Sequence, residues 1–260
     1  MMQSAPENTH DEINQAIEYA QRLSEAAIRV VGSSKIELNE SYARNPKVVA
    51  LSILCRTICN FRGALLLAQQ ESIIEARALV RLIYENLIWI DALRQRGAEF
   101  VKDMLNDEAF NREALAKLTL YMTAKHGGDV NDTNAVVLRN SVNEITKRFP
   151  GKKKIEAKKT AEAGVLRLAY VEYSRLSLEA VHCSITALGH HLSSESTSGK
   201  TELCLSVTPN VGPSDILTTV QGACRGLLSV VVGVNEIVGC TSEAESLAEI
   251  FTEFEQNGWL

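Results

Sequence analysis

The sequence predicts an all-α protein: a single domain of antiparallel packed helices, bundle-like, with one short extended piece near residues 201–209. Three observations predict it. Hydrophobic residues make up 45% of the 260, but aromatics only 5%. A core built from Leu, Ala, Val and Ile suits helix packing better than a sandwich or barrel. Apolar residues recur three and four apart through most long stretches. The breaks between those stretches fall on Gly, Pro and capping side chains.

Taken in order, residues 1–10 read as a loose tail and 11–257 as one helical domain. Ile13, Ile17, Ala20 and Leu23 set the face of a first helix, Asp11 to Val31, which Gly32-Ser33-Ser34 ends. Asn45-Pro46 starts a second, to Gln69, with a capping side chain and proline in the first turn. The third, Ser72 to Arg96, is apolar on most sides and so belongs at the centre. Arg77, Arg81 and Glu85 step by four along it and share a face. Gly97 closes it. Two helices are expected next, Ala98–Asn106 and Asn111–Lys125, and then Ala135–Phe149. Pro150-Gly151 makes a turn into a lysine-rich run.

The stretch Arg167–Leu192 reads as one long helix around which the rest is organised. Glu172, Arg175, Glu179, His182, Thr186 and His190 fall on one side of it. Tyr170, Leu178, Val181, Ile185, Leu188 and Leu192 form its apolar stripe, expected to face the core. Arg175 and His182 are two turns apart, about 10 Å along the axis. After a polar loop, Ser214 or Asp215 starts a helix to Gly239. Ser242, with Glu245 three residues on, caps a last helix, Glu243–Gln256, in a capping box.

Net charge is −5, which argues against a protein that coats DNA. The charge is uneven: Lys147 to Lys159 holds seven basic residues and one acid. That run reads either as a solvated loop or as a salt-sensitive phosphate contact through Lys152, Lys153 and Lys154. The six cysteines form no CxxC pair. With no signal peptide evident, they read as reduced, mostly buried thiols of a cytoplasmic protein. The longest apolar run, Gly226–Val234, is too short to span a bilayer, so no membrane is expected. Gly199-Lys200-Thr201 lacks the earlier glycine and the strand–helix context of a phosphate loop. His182 and His190 stand about 12 Å apart along one helix, too far to share an ion, so no metal or other cofactor is expected.

Two segments resemble a large bacterial family of unknown function, number 5677. ARALVRLIYENLIWI resembles its R-x-x-x-E helix. AGVLRLAYVEYSRLSLEAVHCSITALGHHL resembles its Y-x-x-L-S-x-x-A-x-H-x-S-x-T-A-L helix. The resemblance spans Asn45 to about Gly239. It implies an all-helical cytosolic domain with no established chemistry, and points to Arg81, Glu85, Tyr173, Ser177 and His182. The family commonly has proline after the histidine, and Cys183 stands there instead, which predicts that the helix runs on without a kink. A looser resemblance is to the HEPN ribonucleases of toxin–antitoxin and antiphage systems, which are helical, usually dimeric and carry R-x(4–6)-H. Arg175-x6-His182 fits at the long limit, although Leu176 replaces the polar residue usual after the arginine.

Two functions follow as expectations. The first is a metal-independent endoribonuclease or related RNA-acting effector. In it His182 moves protons and Arg175 holds the phosphate; Arg81, Glu85, Glu179, Tyr173 and Ser177 support them. Its partners would be RNA, a second copy in a homodimer, and a cognate antitoxin or defence protein. The alternative is a non-catalytic helical module, partner-binding, sensing or antitoxin-like, in which the same residues form a structural network or a ligand pocket. The ordinary i,i+3 and i,i+4 pairing of Glu172, Arg175, Glu179 and His182 suits that reading.

Overall fold

A computed structural model describes residues 7–36, 44–129, 132–182, 184–197 and 200–259. The described residues form ten helices and one two-stranded hairpin. Helix α1 (Glu7–Ser33) begins inside the expected tail. Next come α2 (Pro46–Gln69), α3 (Ile73–Arg96), α4 (Ala98–Lys125), α5 (Thr133–Arg148), α6 (Ala157–Ala163), α7 (Arg167–Leu176) and α8 (Ile185–Gly189). Strands β1 (Leu192–Thr197) and β2 (Lys200–Leu205) precede α9 (Pro213–Val238) and α10 (Ala244–Gln256).

The core is shared by α1, α2, α3 and α9. Asn45 caps α2 by accepting from the Lys47 N–H at 2.9 Å. Helices α2 and α3 run antiparallel: Asn86 Nδ2 donates to Thr57 Oγ1 at 2.9 Å, and Gly63 faces Leu79. Helices α3 and α9 run parallel, because the 116 intervening residues return the chain to the starting end. Gly226 faces Ile83, and Gly233, two turns on, faces Ile90. Both α2 and α9 are long and apolar enough to cross a membrane, and here both pack into this core.

Four local expectations are corrected. Residues 98–125 form one helix, since nothing between Asn106 and Asn111 breaks it; Asn111 Nδ2 donates to Asp107 Oδ2 at 2.9 Å across the expected gap. The expected helix Arg167–Leu192 is three pieces. After α7 the chain widens into a π turn, Ser177–Val181, in which the His182 N–H donates to Ser177 O at 3.1 Å. At His182 it turns extended, with φ −95° and ψ 145°. Ser184 ends the π turn and starts α8: its hydroxyl donates to Leu178 O at 2.5 Å and accepts from the Ala187 N–H at 3.0 Å. A serine competing for backbone partners breaks the helix without glycine or proline. Cys183 itself lies outside the described residues. The Ser242 capping box does not form; α10 starts at Ala244, and Thr241 Oγ1 accepts from the Glu243 N–H at 3.2 Å. Lastly, of the five described cysteines only Cys224 is buried, and Cys55, Cys59 and Cys240 are exposed.

Residues 193–197, expected as part of a loop, instead form a strand that pairs antiparallel with the expected extended piece, Leu192 opposite Leu205. The hairpin packs mainly on itself.

Candidate functional site

Two polar clusters sit where α3 meets α7, the π turn and α9. In the first, Arg81 of α3 donates from Nε to Ser177 Oγ at 3.0 Å, from Nη1 to Glu85 Oε2 at 3.0 Å, and from Nη2 to the Tyr173 hydroxyl. Its guanidinium lies 4.4 Å from the centre of the Tyr173 ring, a cation–π contact. Ser177 Oγ donates to Tyr173 O at 2.7 Å, which fixes its lone pairs toward Arg81. The stepping of Arg81 and Glu85 by four brings this pair together, and Tyr173 of α7 with Ser177 of the π turn meets it.

The second cluster is larger. Arg77, one turn before Arg81, is buried. Its Nη2 donates to Asp215 Oδ1 at 2.7 Å, its Nε to Thr219 Oγ1 at 3.2 Å, and its Nη1 stands 3.4 Å from Glu179 Oε2. Glu179 also accepts from Arg175 Nη1 at 2.8 Å, and Arg175 donates to Glu172 Oε2 from Nε at 3.1 Å and Nη2 at 2.9 Å. Burial opposes the charge on Asp215, but the Gly212 N–H and the Arg77 guanidinium hold its carboxyl below the usual range. Burial likewise opposes the charge on Arg175, and Glu179 and Glu172 more than compensate, raising its pKa. Two guanidiniums against three carboxylates leave this cluster one negative charge. An approaching phosphate would have to compete with those carboxylates for every donor on Arg175.

Beneath it lies a cavity of about 20 Å³, lined by Tyr84, Arg77, Glu172, Arg175 and Thr219. That is room for one water. The Tyr84 hydroxyl is buried, which raises its pKa, and the Arg225 guanidinium beside it partly offsets that. Among the described residues no three His, Cys, Asp or Glu side chains gather as metal ligands would.

The expected site residues therefore divide. Arg81, Glu85, Tyr173 and Ser177 come together, and Glu179 joins Arg175 to Arg77. His182 is exposed on the extended residue after the π turn, no longer in one helix with Arg175. Lys152 is not free for a phosphate: its side chain is 8% exposed and its Nζ is 2.6 Å from Glu113 Oε2. Lys153 and Lys154 are exposed. Sequence reasoning left out Asp215 and Thr219, one turn apart at the start of α9, and gave Arg77 no partner outside its helix. The signal was present in Arg77, a charge on a helix too apolar to be on the surface.

A correction of larger consequence concerns the apolar stripe of 170–192. The core side of α7 and the π turn is Ala169, Leu176 and Ser177. Leu178, Val181, Ile185 and Leu188 instead face outward, with Leu168 and Val171 beside them. Leu168 is 80% and Ile185 86% exposed. The polar set supplied by α3 takes the inner side, so the aliphatic set is turned out.

Fold and site define an all-α protein in which α7 and the π turn are held to a parallel α3–α9 pair by partly buried ionic groups. Residues 47–200, more than half of the chain, match the Family of unknown function (DUF5677), and the protein belongs to that family. The matched span holds Arg77, Arg81, Glu85, Tyr173, Ser177 and Glu179, whereas Asp215 and Thr219 lie beyond it. No curated protein and no solved structure matches the chain.

Proposed function

We propose that the protein is a non-catalytic, cytoplasmic helical binding module whose contact surface is the outward aliphatic face of α7, the π turn, α8 and the hairpin, with a second copy of the chain as the partner. One observation carries this reading: twelve large apolar side chains between Val165 and Val207 are more than a third exposed among the described residues. Monomeric proteins seldom leave so much aliphatic surface on one segment in water. The hairpin favours a second copy as occupant. A lone two-stranded hairpin is marginal in water, and both outer edges of this one carry backbone groups that another strand can pair. The Arg and Glu residues behind the face neutralise one another and fasten it to the core. Leu168→Glu and Ile185→Glu, made together, test this. Light scattering at micromolar concentration should show a dimer for the parent chain and a monomer for the variant, with unchanged far-UV circular dichroism. A monomeric parent chain sinks the self-association reading.

A second reading keeps the RNA-acting effector, an endoribonuclease of toxin or antiphage type. It is favoured by Arg175, half exposed, and His182, exposed, following each other along the edge of the same aliphatic face. A dimer through that face would bring two such pairs into proximity. Purified protein should then cleave RNA without added metal, and His182→Ala should abolish cleavage while leaving the fold intact. Absence of cleavage by the parent protein ends this reading.

A further inference from the structure

Away from the ionic clusters, the outer face of α2 carries two thiols one helical turn apart. Cys55 and Cys59 are both exposed, whereas Cys224 is buried in the core. A buried thiol behaves as a small apolar side chain, and an exposed one is open to metals. Thr57, between the two cysteines, turns inward and accepts from Asn86 Nδ2 at 2.9 Å, which holds the thiol face outward. Helix α2 has no Asp or Glu, and its charged residues are Lys47, Arg56 and Arg62. Lys47 donates to Val238 O at 3.1 Å, and Arg62 Nε to Ser24 Oγ at 3.3 Å. Arg56, one turn before Cys59, is exposed, and its side chain has no ion pair or hydrogen bond among the described residues.

Helix geometry decides what such a pair can do. Side chains four apart on an α-helix have Cβ atoms about 5–6 Å apart. A disulfide needs about 3.5–4.5 Å between them, so joining the sulfurs directly would unwind the turn. One interposed metal ion replaces a sulfur–sulfur bond of about 2 Å by two metal–sulfur bonds of about 2.3 Å, and the intact helix can then span the gap. The ligand set decides which metal. Among the described residues no third His, Cys, Asp or Glu gathers with the two thiols. Zinc takes four ligands, and hard cations take oxygen ligands, which this face of α2 lacks. Thiolates select soft ions such as Cu(I), which accept two ligands in line.

We propose that Cys55 and Cys59 hold one soft monovalent cation of the Cu(I) class as a bis-thiolate on the outer face of α2. Each thiol gives up its proton on binding, and no electron is transferred. Two thiolates around one monovalent cation leave a single negative charge, and the Arg56 guanidinium beside Cys59 offsets it. The site is independent of the aliphatic face of α7, so self-association and metal binding stand or fall separately.

Anaerobic titration of the full, reduced chain with Cu(I), in competition with the chelator bicinchoninate, tests the site. A chain carrying Cys183→Ser, Cys204→Ser and Cys240→Ser should take one equivalent of Cu(I) from the chelator, and X-ray absorption should show two sulfur neighbours. Adding Cys55→Ser or Cys59→Ser to it should weaken binding at least about a hundredfold, since losing a ligand costs more than losing an outer-shell partner. Both positions are exposed, so thermal unfolding without metal should not change. Ser52→Cys combined with Cys55→Ser keeps two exposed thiols on the same face but sets them two turns, about 10 Å, apart. One ion cannot bridge that distance, and binding should fall as far as in the single-serine chains. Zn(II) at the same concentration should not displace Cu(I). Failure of the triple-serine chain to take Cu(I) from the chelator overturns the proposal. So does undiminished binding after Cys55→Ser, after Cys59→Ser or in the respaced chain, or displacement by Zn(II).

Discussion

Arg77 of α3 and Asp215 in the first turn of α9 are joined through Nη2 and Oδ1 at 2.7 Å, 138 residues apart in sequence. The same guanidinium reaches Glu179 of the π turn at 3.4 Å. One side chain thus ties together three elements that diverge at the end of α3 and meet again at the start of α9. It also anchors the base of the outward aliphatic face, because Glu179 lies between Leu178 and Val181 on that segment.

Arg77→Met tests how much this tie contributes. Methionine fills the space but leaves Asp215 and Glu179 without their shared cation. Removing one partner from a fully buried ion pair typically costs about 3 kcal/mol or more, but Asp215 and Glu179 keep 35% and 19% of their side chains exposed, so about 1–3 kcal/mol is expected here. Urea unfolding should show a loss of that order with an unchanged slope. A loss below about 1 kcal/mol, the range of exposed pairs, would mean that the network is solvated.

The parallel contact of α3 and α9 depends on glycine at two positions. A Cβ on Gly226 would stand 2.7 Å from Ile83 Cγ2, and one on Gly233 would stand 2.7 Å from Ile90 Cγ2. These methyls sit on branched Cβ atoms and cannot swing away. Gly226→Ala should therefore destabilise by about 1–3 kcal/mol, the range for overpacked cores. Gly222→Ala, one turn earlier on the same helix, meets nothing within 4 Å. It should stabilise by about 0.5–1 kcal/mol, since alanine loses less backbone entropy in a helix. The opposite signs, read by thermal unfolding, separate a packing requirement from a general glycine effect.

Acid should loosen the α4–α5 arm before the core. Hydrogen bonds from Lys117 and Lys152, with Thr146, hold the Glu113 carboxyl at about 2, below its ordinary value of 4.5, although desolvation opposes them. A depressed folded-state pKa stabilises the folded form above pH 4.5, where the unfolded chain would also be ionised. That stabilisation falls away as pH drops from 4.5 toward 2. Hydrogen exchange in α4 and α5 should speed up over that window, and Glu113→Gln should remove the dependence. An unchanged pH profile in the Gln variant would place the sensitivity elsewhere.

Much of the fold was legible in the residues, and the reason is local. Asn45-Pro46, Gly97 and Gly239 punctuate helices through backbone chemistry that needs no tertiary information. Arg81 with Glu85 was legible because its i,i+4 geometry lies within one helix. What could not be read was which side of residues 167–192 faces inward. The aliphatic stripe and the polar set are comparably regular, and the choice is made by Arg77 and Arg81 arriving from α3. Asp215 was legible only as a helix start, because its partner lies 138 residues away. The break at His182 was missed for a related reason: Ser184 can sit within a helix or cap one, and its hydroxyl settled on Leu178 O and the Ala187 N–H.

Gly164 offers a test of how α7 is held at its start. No side chain of α7 itself caps its N-terminus; Asp91 Oδ2, from near the C-terminal end of α3, accepts from the N–H groups of Val165 and Leu166 instead. Gly164 has an ordinary negative φ of −90°, so alanine there costs nothing in backbone conformation. Its Cβ, however, would fall almost on Asp91 Oδ2. The carboxylate must then swing off the two N–H groups, and losing a capping interaction costs about 0.5–2 kcal/mol. Gly164→Ala should lower global stability by that amount. It should raise hydrogen exchange most strongly at Val165 and Leu166, while exchange in α2 and α9 changes only in proportion to the global loss. A uniform increase over all helices would mean that Asp91 stabilises the core generally and does not position α7.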